Sequence, residues 1–222
     1  MFKLIKLISL FSAYMLSMAA HAGVVMGGTR IIFVEGKKEA TLSVTNQDKN
    51  IPHLIESWLE NFNADNHSRV PFIVTPPLFR LDAGKENLLR INYLGIPLPK
   101  DRESVFWLNV KSISPTPRDK NNQLQVNIKS KFKLFYRPQG LAGDPAEAWQ
   151  QLSFRHEDNK LIAHNPTPYF VSFYSLSVSH HDIKDPGMIG PGEDRQWNVA
   201  ESGAVTWSAI NDYGGITEQR TR

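Results

Sequence analysis

Apolar and polar residues alternate along this chain in short runs broken by turn formers, and stripes at helical spacing are scarce. The alternation predicts strands at residues 29–33, 40–46, 54–59, 72–75, 88–93, 104–110 and 123–136. Turn chemistry separates them, as in Glu35-Gly36-Lys37-Lys38, Asn46-Gln47-Asp48-Lys49-Asn50, Asn63-Ala64-Asp65-Asn66 and Asp82-Ala83-Gly84-Lys85. Seven strands over about 115 residues is the count of an immunoglobulin-like sandwich. Residues 138–145 then bring Pro138, Gly140, Gly143 and Pro145, which no central strand accommodates, so a domain junction is expected there. A second set follows at 160–164, 169–177, 196–199 and 205–210. The predicted architecture is all-β: a sandwich domain over residues 23–137, a linker over 138–145 and a second sandwich over 146–222.

The longest predicted strand carries the most information. From Leu124 the even positions read Leu124, Val126, Ile128, Ser130, Phe132, Leu134 and Tyr136; the odd ones read Gln125, Asn127, Lys129, Lys131, Lys133, Phe135 and Arg137. One face is therefore apolar for about 40 Å at ~3.3 Å per residue, longer than the strands of an ordinary sandwich. The row fits a core strand with a solvated back. By pattern alone this is the plainer reading; the sharper one is an edge whose apolar side runs past its own core, open to completing another chain's sheet.

The first 22 residues read as an address rather than as fold. Lys3 and Lys6 precede a 14-residue uncharged apolar run over residues 7–20, and Ala20-His21-Ala22 supplies the small residues of a cleavage site after Ala22. Fourteen residues at 1.5 Å each do not cross a ~30 Å hydrocarbon layer, so membrane insertion is not expected. The whole chain of 222 residues carries 25 Lys and Arg against 22 Asp and Glu, a net +3. Cleavage removes two lysines and no acid, leaving +1, and the electrostatic footprint of a nucleic-acid binder goes with them. An exported chain with no cysteine is read as periplasmic and held together by its core rather than by disulfides.

Chemistry-bearing motifs are missing. Cysteine chemistry is excluded outright, and no nucleophile elbow, phosphate-binding glycine loop or metalloprotease motif occurs. His180-His181-Asp182 sits in a polar, turn-like stretch and reads as surface loop; Glu56 and Glu60 share a strand with Trp58 and read as solvent-facing. Neither an enzyme, a metal site nor a cofactor is indicated.

Residues Leu98-Pro99-Lys100-Asp101-Arg102-Glu103-Ser104-Val105-Phe106-Trp107-Leu108-Asn109-Val110-Lys111-Ser112-Ile113 resemble the signature of periplasmic pilus, or fimbrial, chaperones of the PapD-like family. Further matches follow in order: Thr29-Arg30 before an apolar strand, Thr75-Pro76-Pro77 in mid-domain, and residues 131–138 at the end of the first domain. Asn165-Pro166-Thr167-Pro168-Tyr169 and Ile210-Asn211-Asp212-Tyr213-Gly214-Gly215 lie in the second. Ser114 departs from the pattern, standing where the signature usually has a first proline, and the chain stops soon after Gly215.

The resemblance implies two immunoglobulin-like domains in a boomerang with a cleft between them, and a cis bond at Thr75-Pro76. Arg30 and Lys133 match the family's cleft pair, which grips the C-terminal carboxylate of a pilus subunit. Read alone, Lys133 is one more solvated strand lysine beside Lys129 and Lys131. Leu124, Val126 and Ile128 match the residues lent to an incomplete subunit in donor-strand complementation, a form of β-augmentation. Glu103, Arg137 and Asp212 match an ionic network between the domains. The implied partners are pilus subunits and an outer-membrane usher. A dimer of the free protein would be one way to cap its exposed edge. The short, cysteine-free connection over residues 114–123 is similar to the short F1–G1 loop branch, which mostly serves rod-type pili. The competing reading is an exported two-sandwich protein that binds carbohydrate through tryptophans such as Trp58 or Trp149, or serves as a surface structural protein.

Overall fold

A computed structural model describes residues 23–115 and 126–222 and folds them into two β-sandwiches. The first contains β1 (Val24–Met26), β2 (Arg30–Val34), β3 (Ala40–Asn46), β4 (His53–Asn61), β5 (Phe72–Thr75), β6 (Leu78–Leu81), β7 (Glu86–Tyr93), β8 (Ser104–Ile113) and β9 (Ile128–Arg137). One sheet has the order β1-β3-β7-β5 and the other β2-β9-β8-β4-β6. Alternating apolar residues meet between them, with Phe33, Leu42, Val44, Ile55, Leu89, Ile91, Leu108 and Leu134 all almost fully buried. Phe33 packs edge-on to Phe72 at 5.3 Å, a preferred aromatic geometry.

The N-terminal strand changes sheets partway. β1 pairs with β3, and at Gly27-Gly28 the chain crosses over to β2, which pairs in parallel with β9. A Cβ on Gly27 would lie 2.1 Å from Ser43 Oγ, so any larger residue at the crossing would have to displace the Ser43 side chain of β3. The crossing has a consequence for β9. β2 begins at Arg30, opposite Lys133, while β8 accompanies β9 back to Ile128. Residues 128–132 of β9 are thus paired on one side only among the described strands.

The second sandwich contains β10 (Ser153–Glu157), β11 (Lys160–His164), β12 (Val171–Val178), β13 (His181–Asp182), β14 (Met188–Ile189), β15 (Asp194–Asn198), β16 (Val205–Ala209) and β17 (Arg220–Thr221). β10-β11-β15 form one sheet; β13-β12-β16-β17, with β14 beside β12, form the other. Trp207 is fully buried in its core, and its indole N–H donates to the Trp149 carbonyl at 2.9 Å.

Several boundaries differ from the sequence expectation. The long strand begins at Ile128 rather than 123: Val126 and Asn127 are unpaired, and 123–125 lie outside the described residues, as do residues 1–22. The strand predicted from 169 starts at Val171, because Asn165 staples the preceding turn. Its amide donates to the carbonyls of Tyr169 (2.7 Å) and Gly190 (3.0 Å), and its side-chain oxygen accepts from the Thr167 N–H and hydroxyl. His180-His181-Asp182 is a tight turn running into β13, with Ser179 and His180 at positive φ. Thr75-Pro76 is cis.

Candidate functional site

The outer face of β9 separates its three lysines. Lys129 lies 5.3 Å above the Trp58 ring, and Lys131 lies 4.9 Å above Trp107 while pairing with Glu60 at 3.3 Å. Both are thereby accounted for as cover for sheet aromatics. Lys133 has neither an ion pair, a hydrogen bond nor a ring partner among the described residues. Its register partner is Arg30 on the parallel strand β2. Burial, then the like charges of Arg30 and Arg195, pull the Lys133 ammonium down to about 8, so it stays mostly charged at neutral pH.

Arg30 lies over the Phe135 ring at 5.6 Å and donates from Nη1 to the Ile210 carbonyl at 2.9 Å, while its Nε is buried without a partner. Burial lowers its pKa, with Asp212 and Glu103 opposing. Two cations therefore stand side by side with no carboxylate of the described residues in contact with either, an arrangement suited to an anion that can accept from both.

Upstream of this pair runs the open edge. Phe132, Leu134 and Tyr136 point into the core, whereas Val126 and Ile128 in the same alternating row are 68% and 67% exposed. The apolar row thus continues beyond the protein's own core. Leu124, the third member expected there, lies outside the described residues.

Below the pair the domains are joined through Arg137. Its Nε donates to Glu103 at 2.6 Å, and its Nη1 and Nη2 donate to the two Asp212 oxygens at 2.6 and 3.0 Å. The second Glu103 oxygen accepts the Phe170 N–H at 2.8 Å, and the Glu103 N–H donates to the Pro168 carbonyl at 2.9 Å. Glu103 is only 3% exposed, and desolvation raises its pKa against the pull of Arg137. For Arg137 burial works the other way, yet the bonds to Asp212 and the field of Glu103 hold its pKa above the ordinary value. All three network residues expected from the sequence are therefore in contact.

Other contributors were not singled out beforehand. Phe135 meets Phe170 at 5.8 Å and is 2% exposed. The signal was present: Phe135 is the one apolar residue on the otherwise polar face of the long strand, and it marks where the second domain lands. Ile210 acts through its carbonyl, which no side-chain pattern reports. Trp58 and Trp149 are half-buried, the first beneath Lys129 and the second against the core of the second sandwich. Among the described residues no group of three metal-ligating side chains occurs, and no helix is long and apolar enough to cross a membrane.

Fold and site define a class: a two-sandwich protein with an open apolar strand edge running up to a pair of cations between its domains. Residues 23–142 match the family model of the pili and flagellar-assembly chaperone PapD N-terminal domain, and residues 147–221 match that of the pili assembly chaperone PapD C-terminal domain. The chain is 42% identical over 217 residues to the chaperone protein FimB/FhaD of Bordetella pertussis, covering 91% of this chain and 88% of that one. It is 41% identical over 218 residues to the chaperone protein FimC of Escherichia coli K12, covering 96% and 90%. Its fold is similar to a Salmonella enterica structure of the SafA pilin in complex with the SafB chaperone, with a TM-score of 0.82, 33% identity and coverage of 90% and 95%. The chain belongs to the PapD-like family of pilus-assembly chaperones.

Proposed function

We propose that this chaperone captures fimbrial subunits in the periplasm by lending them β9 as a missing strand, anchored at Arg30 and Lys133. The observation that carries this reading is their position. The pair sits where the pairing of β9 with β2 ends and its unpaired edge begins. A subunit carboxylate held there would receive charge-assisted hydrogen bonds, each worth about 1.5–3 kcal/mol. It would also fix the register of the donated strand, since a slip of one residue turns the apolar row outward. Val126 and Ile128, together with Leu124, would then enter the subunit's open groove, each contributing roughly 1.5–3 kcal/mol by burial. The ladder formed along residues 128–132 would satisfy backbone groups on both partners.

The remaining features fit this reading. Residues 1–22 direct export and are cleaved after Ala22. The sandwiches divide at residues 138–145, and the Glu103–Arg137–Asp212 network fixes the angle between them. Loaded subunits pass to an outer-membrane usher, and two free copies cap each other's edge when no subunit is available. The protein works by binding alone, without catalysis or cofactor. Substitution of Arg30 or Lys133 by alanine is expected to leave a folded protein that no longer co-purifies with subunits. Normal amounts of subunit bound to both variants would rule out the anchor.

A further inference from the structure

The turn after β16 reaches back across the junction onto the strand that carries Arg30. The Ile210 carbonyl accepts from Arg30, and its direction is held because the Ile210 N–H donates to Ser172 at 2.9 Å and Ile210 bridges to Ile216. Asn211 closes the turn. Its N–H donates to the Gly215 carbonyl at 2.8 Å, and its side-chain oxygen accepts from the N–H groups of Tyr213 and Gly215 at 3.0 and 2.9 Å. Gly214 has φ +83 and lies against Thr29, the residue before Arg30: a Cβ there would be 2.4 Å from Thr29 Oγ1. The turn therefore meets the Arg30 segment twice, once by a carbonyl on the guanidinium and once by a glycine seated against the Thr29 side chain.

Among the described residues the Ile210 carbonyl is the only hydrogen-bond partner of the guanidinium, and Asp212, in the same turn, adds its field. The Arg30 Nε has no partner, and the Phe135 ring supports the guanidinium from one face, which leaves rotation in the plane of the ring unconstrained. We propose that the turn over residues 210–215 is the positioning device for Arg30, with Gly214 setting how closely it seats. The second domain would then do more than wall the cleft: it would orient the anchor on the first. The inference rests on the reading of Arg30 as a carboxylate anchor.

The test uses the full chain and two synthetic peptides of alternating Val and Thr, one ending in a free carboxylate and one in an amide. The readout is the affinity ratio of acid over amide, with melting temperature followed alongside. Gly214→Ala is expected to cut the ratio about tenfold or more, as loss of one charge-assisted bond would. Thr29→Ala is expected to leave the ratio near that of the unaltered protein. The double variant is expected to recover it, because Thr29→Ala removes the Oγ1 that the new methyl group strikes. An unchanged ratio in Gly214→Ala overturns the proposal. A double variant as poor as Gly214→Ala also overturns it, since the loss would then come from strain at positive φ alone. Arg30→Ala separates the two layers: if it keeps the ratio, or if the unaltered protein has none, the anchor itself is wrong. If Arg30→Ala loses the ratio and Gly214→Ala keeps it, only the turn's role is wrong.

Discussion

Arg30 and Lys133 face each other in the one parallel strand pair among the described residues, and β9 loses its second neighbour immediately upstream of them. Charge and edge are thus set by one topological event, the crossing of the N-terminal strand between sheets at Gly27-Gly28. A longer β2 would have covered the edge; a shorter one would have removed Arg30 from the pair. The arrangement stores an unmet electrostatic demand beside an unmet backbone demand, and a strand-completing partner with a terminal carboxylate answers both.

That demand should be visible as a stability cost in the free protein. The Lys133 pKa is pulled down to about 8 from an ordinary 10.5 by burial and by Arg30. Between these values the unfolded chain holds the proton and the folded chain does not, so this residue's contribution to stability rises with pH across that window. At pH 7 it is at its least favourable. Lys133→Met should therefore melt at a higher temperature than the unaltered protein at pH 7, and the gain should shrink from pH 8 to pH 10. Thermal denaturation over a pH series checks this; a lower melting temperature at pH 7 contradicts it.

The exposed end of the apolar row should be separable from folding. Val126 and Ile128 are mostly solvent-exposed, so Val126→Asp and Ile128→Lys should shift stability by no more than about 0.5 kcal/mol. On the proposed reading each loses the ~1.5–3 kcal/mol of burial in the subunit groove and adds a desolvated charge, so capture should fall by tenfold or more. Chemical denaturation and subunit co-purification report the two effects. Full capture by both variants would remove the donor-strand role.

Arg137 should behave as a structural centre. Its loss leaves Glu103 buried without its counter-charge, an event that costs about 3–5 kcal/mol in comparable settings. In Arg137→Ala the Glu103 pKa, already raised by desolvation, should climb further. The stability that protonation restores is present at low pH and lost as pH rises, so the deficit relative to the unaltered protein should narrow from pH 7 to pH 5. A deficit that stays constant over that range would mean that Glu103 is not the group left stranded.

Much of this was legible in the sequence, and the gaps have physical causes. The core strands β3, β5, β8 and β11 announce themselves by alternation. β10 does not, because Ser153–Glu157 is a polar hairpin strand with one apolar residue, Phe154, turned at Asp158-Asn159 in the left-handed region. β6 follows directly on Pro76-Pro77, where prolines suggest a turn rather than a strand. For the site, periodicity yielded the apolar row, and motif resemblance yielded Arg30, Lys133 and the Glu103–Arg137–Asp212 trio. What pattern could not yield were backbone contributions: the Ile210 carbonyl on Arg30, the Phe170 N–H on Glu103, and the close seat of Gly214 on Thr29. Such contacts depend on how two separately folded sandwiches meet.

The central claim is that the edge of β9 upstream of Lys133 is the surface a subunit occupies, and amide hydrogen exchange addresses it residue by residue. In the free protein, diluted until it is monomeric, the unpaired side of residues 128–132 should exchange readily, while β9 beyond Lys133, paired on both sides, should be protected. Adding a fimbrial subunit should extend protection back through residues 126–132. Protection that appears elsewhere on the protein, with this segment exchanging as fast as before, would contradict the account.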